Sequence, residues 1–146
     1  ISDEIWSFFA TGTNLQELYI NPHKLNTGNW DCLASAARWA RKNESVLVDT
    51  HWIGGDPAKG EIYGYASWSV EKGILSIRNP SGVEKTFEVV LKEVFELPDH
   101  VNDNYELYDV RAMGDNPNVR AAYIGRVCNI TLPPFEHKVF DAIPSK

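Results

Sequence analysis

VLVDTHWIGGDPAKGEIYGYASWS, residues 46–69, is the stretch on which the reading of the chain turns. Before it, apolar residues recur at helical steps; after it, they alternate or cluster in short runs bounded by Gly, Pro, Asn and Asp. Its first half sets Asp49, His51, Trp52 and Asp56 around Gly54-Gly55, and its second half opens a strand ladder with Tyr63, Tyr65 and Trp68. The expected fold is mainly β: an antiparallel β-sandwich of six to eight strands, preceded by a short helical α/β segment. The boundary falls between a helical segment at 1–53 and a sandwich at 57–146.

Working back towards Ile1, the strongest helix lies over residues 29–42. Trp30, Leu33, Ala34, Ala37 and Ala40 recur at three- and four-residue steps, Asn29 is placed to cap, and Arg38, Arg41 and Lys42 suit the negative end of the dipole. Residues 15–20, LQELYI, form a short apolar run, a strand or a helical turn; the turn signals at both ends favour the strand. A first helix starts at Ser2-Asp3, continues through Ile5, Phe8 and Phe9, and stops at Thr11-Gly12.

Working forward, strands over 61–69 and 73–79 form a hairpin through Val70-Glu71-Lys72, with Gly73 supplying an unusual dihedral. Ile62 and Gly64 alternate with Tyr63 and Tyr65, so the tyrosines share one face, read as core. Asn79-Pro80-Ser81-Gly82 is a turn, and 86–91 is a strand with Phe87, Val89 and Leu91 on one side. Residues 92–98 read as an irregular link, 105–110 as a strand and 112–119 as a long loop. Residues 120–131 are strand in part. Pro133-Pro134 turns the chain into a last strand at 136–142.

Composition narrows the function. Apolar residues make up 43% and aromatics 12% of 146 residues, enough for a packed core. Lys and Arg number 14 against 20 Asp and Glu, a net charge of −6, which argues against sequence-independent nucleic-acid binding and against an anionic membrane surface. No apolar run approaches the ~18 residues of a spanning helix. The chain begins at Ile1 and its one methionine is Met113, so the expectation is a piece of a longer polypeptide. Cys32 and Cys128 do not make a disulfide framework and read as two buried free thiols. Asn43-Glu44-Ser45 and Asn129-Ile130-Thr131 fit the glycosylation pattern.

Catalytic motifs are scarce. Asp49 and Asp56 are the best candidates for a facing carboxylate pair of the kind a glycosidase needs. The alternative is that Asp49 ends a strand and Asp56 bonds its own turn before Pro57. Asp49 with His51 would need Ser67, Ser69 or Cys32 as nucleophile, and none has a Gly-x-Ser-x-Gly elbow. His23, His51, His100 and His137 lack zinc-site spacing, Gly54-Gly55 lacks the Lys-Ser/Thr of a phosphate loop, and no cofactor site is read. Trp52, beside the glycines, is the aromatic best placed to stack on a sugar, with Asp49, His51 and Asp56 as polar partners.

The order of motifs resembles the C-terminal region of α-galactosidase-like glycoside hydrolases. The residues that carry it are Ala66-Ser67-Trp68-Ser69, Lys72-Gly73-Ile74-Leu75, Arg78-Asn79-Pro80-Ser81, Tyr105-Glu106-Leu107-Tyr108-Asp109, and Leu132-Pro133-Pro134 leading into Val139-Phe140. The resemblance implies the end of a (β/α)8 barrel followed by an antiparallel sandwich. It also implies that the two catalytic carboxylates sit on earlier barrel strands outside this chain. The expected role is therefore a non-catalytic portion of a secreted or periplasmic enzyme, with carbohydrate and an N-terminal catalytic barrel as partners and a homo-oligomer as a further possibility. A free-standing carbohydrate-binding module and a small hydrolase using Asp49 and His51 are the alternatives.

Overall fold

The computed structural model describes residues 1–13, 15–112 and 119–145. The expected loop at 112–119 lies almost wholly outside them. The helices are α1 (Ser2–Phe9), α2 (Thr27–Lys42), α3 (Glu44–Leu47) and α4 (Leu91–Val94). The strands are β1 (Thr50–Gly54), β2 (Tyr63–Trp68), β3 (Gly73–Arg78), β4 (Lys85–Val90), β5 (Tyr105–Asp109), β6 (Val119–Ala122), β7 (Val127–Leu132) and β8 (His137–Pro144). Six strands form one antiparallel sheet in the order β1-β2-β3-β8-β5-β6, and β4 with β7 forms a second. The protein is mainly antiparallel β with short helices in its N-terminal part. Among the described residues no helix is long and apolar enough to cross a membrane.

The six-stranded sheet buries apolar side chains on both faces because it lies between two layers. Leu75, Ile77, Ala66, Leu107 and Ala142 meet Val89, Ile130 and Leu132 of the small sheet, together with Leu91 and Phe95. Ile74 and Val139 point the other way and pack on Trp6, Phe9, Ala36, Ala40 and Leu47 of the helices. β3 is covered on both sides, and its alternation into a mostly apolar and a mixed face holds: Leu75 and Ile77 meet the small sheet, while Ile74, Ser76 and Arg78 face the helices, Ser76 bonded to His137 and Arg78 to Glu4. Each large aliphatic side chain removed from water in this way is worth about 1.5–3 kcal/mol.

Several local expectations change. Residues 15–20 form no strand and are exposed throughout, because no described strand lies beside them. α2 is capped by Asn26, whose side chain accepts from Asn29 N–H at 2.9 Å while Asn29 Oδ1 accepts from Asn26 N–H at 3.1 Å. Asn29 is thus the third helical residue, reaching back as the second half of a capping box. The buried stripe of α2 runs through Ala36 and Ala40, and Trp30 lies outside it. Val46 and Leu47 close α3, so Asp49 precedes a strand and does not end one. Residues 91–94 make one helical turn. Gly73 has an ordinary backbone; its glycine is needed because a Cβ would stand 2.6 Å from the Phe95 ring. β1 lies ahead of the expected boundary at 57 and pairs with β2 along its whole length.

The resembling motifs touch one another. Asn79 is fully buried, and its Nδ2 donates to the carbonyls of Val83, Leu132 and Pro133 at 2.8, 3.1 and 3.0 Å. Its Oδ1 accepts from the backbone N–H and the hydroxyl of Ser81. The Asn-Pro-Ser turn and the Leu-Pro-Pro edge, 53 positions apart, are one hydrogen-bonded unit. The β2–β3 hairpin is fastened to β8 by Lys72 and Asp141 at 2.6 Å, both largely buried.

Candidate ligand-binding surface

Register decides which side chains of the 46–69 stretch share a face. Trp52 pairs with Tyr65, and Gly54 with Tyr63. Successive strand residues point to opposite sides, so Trp52, Tyr63 and Tyr65 project together from the helix-bearing face of the sheet. The Trp52 ring stacks on Tyr63 at 5.0 Å with 10° between planes, and meets Tyr65 edge-on at 5.4 Å. Trp52 is 48% exposed and the tyrosines are half-buried, so the trio is a surface platform and not the core position expected for Tyr63 and Tyr65. Gly64 lies beneath it because a Cβ there would fall 1.9 Å from the Ser76 carbonyl oxygen. Trp52 itself lies within β1, two residues before the glycine turn.

The other candidate residues do not gather on this platform. His51 points to the opposite face, where its Nε2 meets the Val94 carbonyl at 2.8 Å. Asp56 caps the turn Pro57–Lys59, accepting from Ala58 N–H at 2.9 Å, and lies 3.8 Å from the Lys59 ammonium. It behaves as a turn residue. Asp49 is exposed just before β1. Asp49 and Asp56 stand at opposite ends of a strand that is itself ~13 Å long, beyond the ~5–9.5 Å over which paired glycosidase carboxylates act. Ser67 is buried and shares a 2.6 Å hydrogen bond with Thr50, which leaves it no role as a nucleophile. Among the described residues no group of three His, Cys, Asp or Glu is placed to hold a metal ion. Cys32 and Cys128 are free and half-buried.

A polar cleft of about 960 Å³ was not anticipated from sequence. It opens where Asp3, Asp109, Arg111, Glu136 and His137 converge beside α1 and the start of α2. Arg111 is its clamp. The guanidinium lies 2.5 Å from Asp3, donates to Ser2 Oγ at 3.1 Å and bonds the His137 carbonyl. His137 is buried, with Nε2 2.9 Å from Ser76 Oγ. Burial, then the cations of Arg111 and Arg78, lower its pKa to about 3, so its ring is neutral at ordinary pH. Burial pushes the Glu136 carboxyl up, opposed by Lys138 and reinforced by Asp3 and Asp109. These residues come from three separate stretches, and no local spacing announces them. The arrangement ties α1 to β8 through Arg111, which pairs with Asp3 and bonds the His137 carbonyl.

The fold is thus a two-sheet β-sandwich carrying helices on the outer face of its larger sheet. No family model matches the chain, and no curated protein matches it in sequence. Solved structures do match in fold. A Bacillus halodurans C-125 protein described as an α-N-acetylgalactosaminidase superposes with a TM-score of 0.68 at 12% identity, over 99% of this chain and 33% of its own. The α-galactosidase of Saccharomyces cerevisiae, solved with raffinose, gives 0.67 at 12% identity, over 99% of this chain and 44% of its own. AmyP in complex with maltose gives 0.51 at 15% identity, over 81% of this chain and 22% of its own. The chain therefore spans less than half the length of the proteins it matches. The similarity is one of fold, to the C-terminal part of α-galactosidase-like glycoside hydrolases.

Proposed function

We propose that this chain is the non-catalytic C-terminal portion of a secreted or periplasmic glycoside hydrolase, and that its sandwich braces a catalytic barrel carried by the same polypeptide. The observation that carries the reading is the fold match over 99% of this chain to α-galactosidase-type structures of which it spans only 33% and 44%. The separation of Asp49 from Asp56 and the turn-capping role of Asp56 support the absence of catalysis from this stretch. Hydrolysis of an aryl α-galactoside tests it. The 146-residue chain gives no turnover, and the longer polypeptide encoded with it does. Turnover by the chain alone, abolished by changing one of its carboxylates, sinks the reading.

A second reading is carbohydrate binding at the aromatic platform, favoured by the exposure of Trp52 over Tyr63. An apolar ring plane with polar edges suits the face of a pyranose. Titration with galactosides, followed by tryptophan fluorescence, gives saturable quenching that Trp52→Ala removes; a flat titration excludes it.

A further inference from the structure

The polar cleft beside α1 holds groups that the chain itself leaves unanswered. Glu136 Oε2 and His137 Nδ1 are buried atoms, and among the described residues neither has a hydrogen-bond partner. His137 is almost completely buried, and Ser76 serves only its other ring nitrogen. Lys138 Nζ stands 3.8 Å from Glu136 Oε2, beyond hydrogen-bond reach. All three residues line the same cleft. Native proteins keep few such orphaned groups, and each calls for a partner from outside the chain or a use.

The chemistry of the wall narrows the ligand. Asp3, Asp31, Asp109 and Glu136 outnumber Arg111 and Lys138 around the cleft, which disfavours an anion. Among the described residues no group of three His, Cys, Asp or Glu is placed to hold a metal ion. A neutral ligand that both donates and accepts fits what remains, and a hydroxyl does both at one atom. Set between Glu136 and Lys138, it donates to the carboxylate and accepts from the ammonium. It thereby closes a gap that the two side chains leave open. Lys138 and Glu136 are 27% and 33% exposed, so both are within reach, and the broad terminal torsion of a glutamate lets Oε2 turn outward. Trp6 adds an aromatic ring to the lining, suited to the C–H face of a sugar. The volume, about 960 Å³, is that of a roomy small-molecule site.

We infer that this cleft binds a neutral polyhydroxylated ligand, a sugar or polyol, one hydroxyl of which bridges Glu136 and Lys138 while a neighbouring hydroxyl meets His137 Nδ1. A neutral imidazole offers Nδ1 as donor or acceptor according to its tautomer, and a hydroxyl answers either. The cleft shares no residue with the aromatic platform of Trp52, Tyr63 and Tyr65. The inference goes beyond the bracing role and does not depend on it.

Two-dimensional proton–nitrogen spectra of the isotope-labelled chain test this. Galactose, methyl α-galactoside and myo-inositol are titrated in turn to about 50 mM at neutral pH, with putrescine as the cationic comparison. At least one polyol shifts the amides of Arg111, Glu136, His137 and Lys138 saturably and moves the Nδ1 resonance of His137. Glu136→Gln and Lys138→Met each weaken that binding by about 10-fold or more, the worth of one charge-assisted hydrogen bond. Amide dispersion shows whether each variant is folded, and either folded variant suffices for the test. Spectra that no polyol moves overturn the inference, and the orphaned atoms then belong to bound water. Shifts produced by putrescine alone overturn it in favour of an amine site. Shifts confined to residues 52 and 63–65 also overturn it, because the sugar is then on the aromatic platform. So does undiminished binding in a folded variant.

Discussion

Replacing Asn79 by Ala removes the side-chain hydrogen bonds that tie the Asn-Pro-Ser turn to the Leu-Pro-Pro edge. Its two N–H groups are shared among three carbonyls, and its oxygen receives two donors from Ser81. A net hydrogen bond is worth about 0.5–1.5 kcal/mol, and a buried group left without a partner costs about 1–3 kcal/mol. Asn79 has no exposed surface, so water does not replace the lost donors without disturbing the core. The carbonyls of Leu132 and Pro133 bear most of the loss, and the expected destabilisation is about 3–5 kcal/mol. For a domain of this size that lowers the melting temperature by roughly 10 °C. Near-UV circular dichroism during heating, with urea unfolding at 25 °C, measures it. Ser81→Ala is the control: it keeps the amide and loses only the hydroxyl contacts, and costs under about 1 kcal/mol. An Asn79→Ala protein that melts within about 2 °C of the parent would show that packing and the backbone bonds Asn79 N–H to Glu136 O and Phe135 N–H to Ser81 O suffice to hold the turn on the edge, and the reasoning fails.

The remaining predictions concern charge, close approach and modification. The folded-state pKa of His137, about 3, is depressed below its unfolded value near 6.5, so only the unfolded chain takes up this proton between those values. Its contribution is neutral above pH 6.5 and destabilising as pH falls, by about 3 kcal/mol at pH 4; His137→Gln flattens that part of the stability–pH curve, and an unchanged curve refutes it. Gly64→Val forces the backbone of β2 away from the Ser76 carbonyl and lowers the melting temperature sharply, whereas Gly125→Ala, with open space around it but a positive φ, costs only about 1 kcal/mol. Lys72→Met leaves the Asp141 carboxylate largely buried without its cation and is more harmful than the double change to Met and Leu, as a double-mutant cycle in urea will read. In a glycosylating secretory host, peptide mapping of the folded product finds glycan on exposed Asn129 and none on Asn43, which is buried with its amide bonded to the Trp39 carbonyl.

What the sequence disclosed depended on how local the cause was. The β2–β3 hairpin, β4 and the final strand were legible because two-residue alternation and turn chemistry are written within each stretch. The start of α2 was displaced because Asn26 and Asn29 are both good capping residues and only the geometry shows which one caps and which one reaches back. The aromatic platform was half-legible. Tyr63 and Tyr65 shared a face as expected, but whether that face meets helices or water depends on where α1 and α2 end over the sheet. The quartet Asp49, His51, Trp52 and Asp56 was crowded in sequence and is dispersed in space, since neighbours along a strand face opposite ways and Asp56 belongs to the next turn. Conversely, Asp3, Arg111 and Glu136 are neighbours that no window of sequence contains.

The segment at 15–20 separates two things that a strand signal conflates. Apolar, β-compatible residues between turn signals state what a segment requires; a hydrogen-bonded ladder states what its surroundings supply. β4 and β7 have both, because each presents the other with a complementary edge, and their apolar sides close over Leu75 and Ile77. Residues 15–20 have only the first. An ordinary loop loses little by standing in water, since loops are built from residues that water satisfies. This one exposes Leu15, Leu18, Tyr19 and Ile20 to water. The mismatch is confined to the part of the chain that precedes β1, while the two-sheet core beyond it closes on itself.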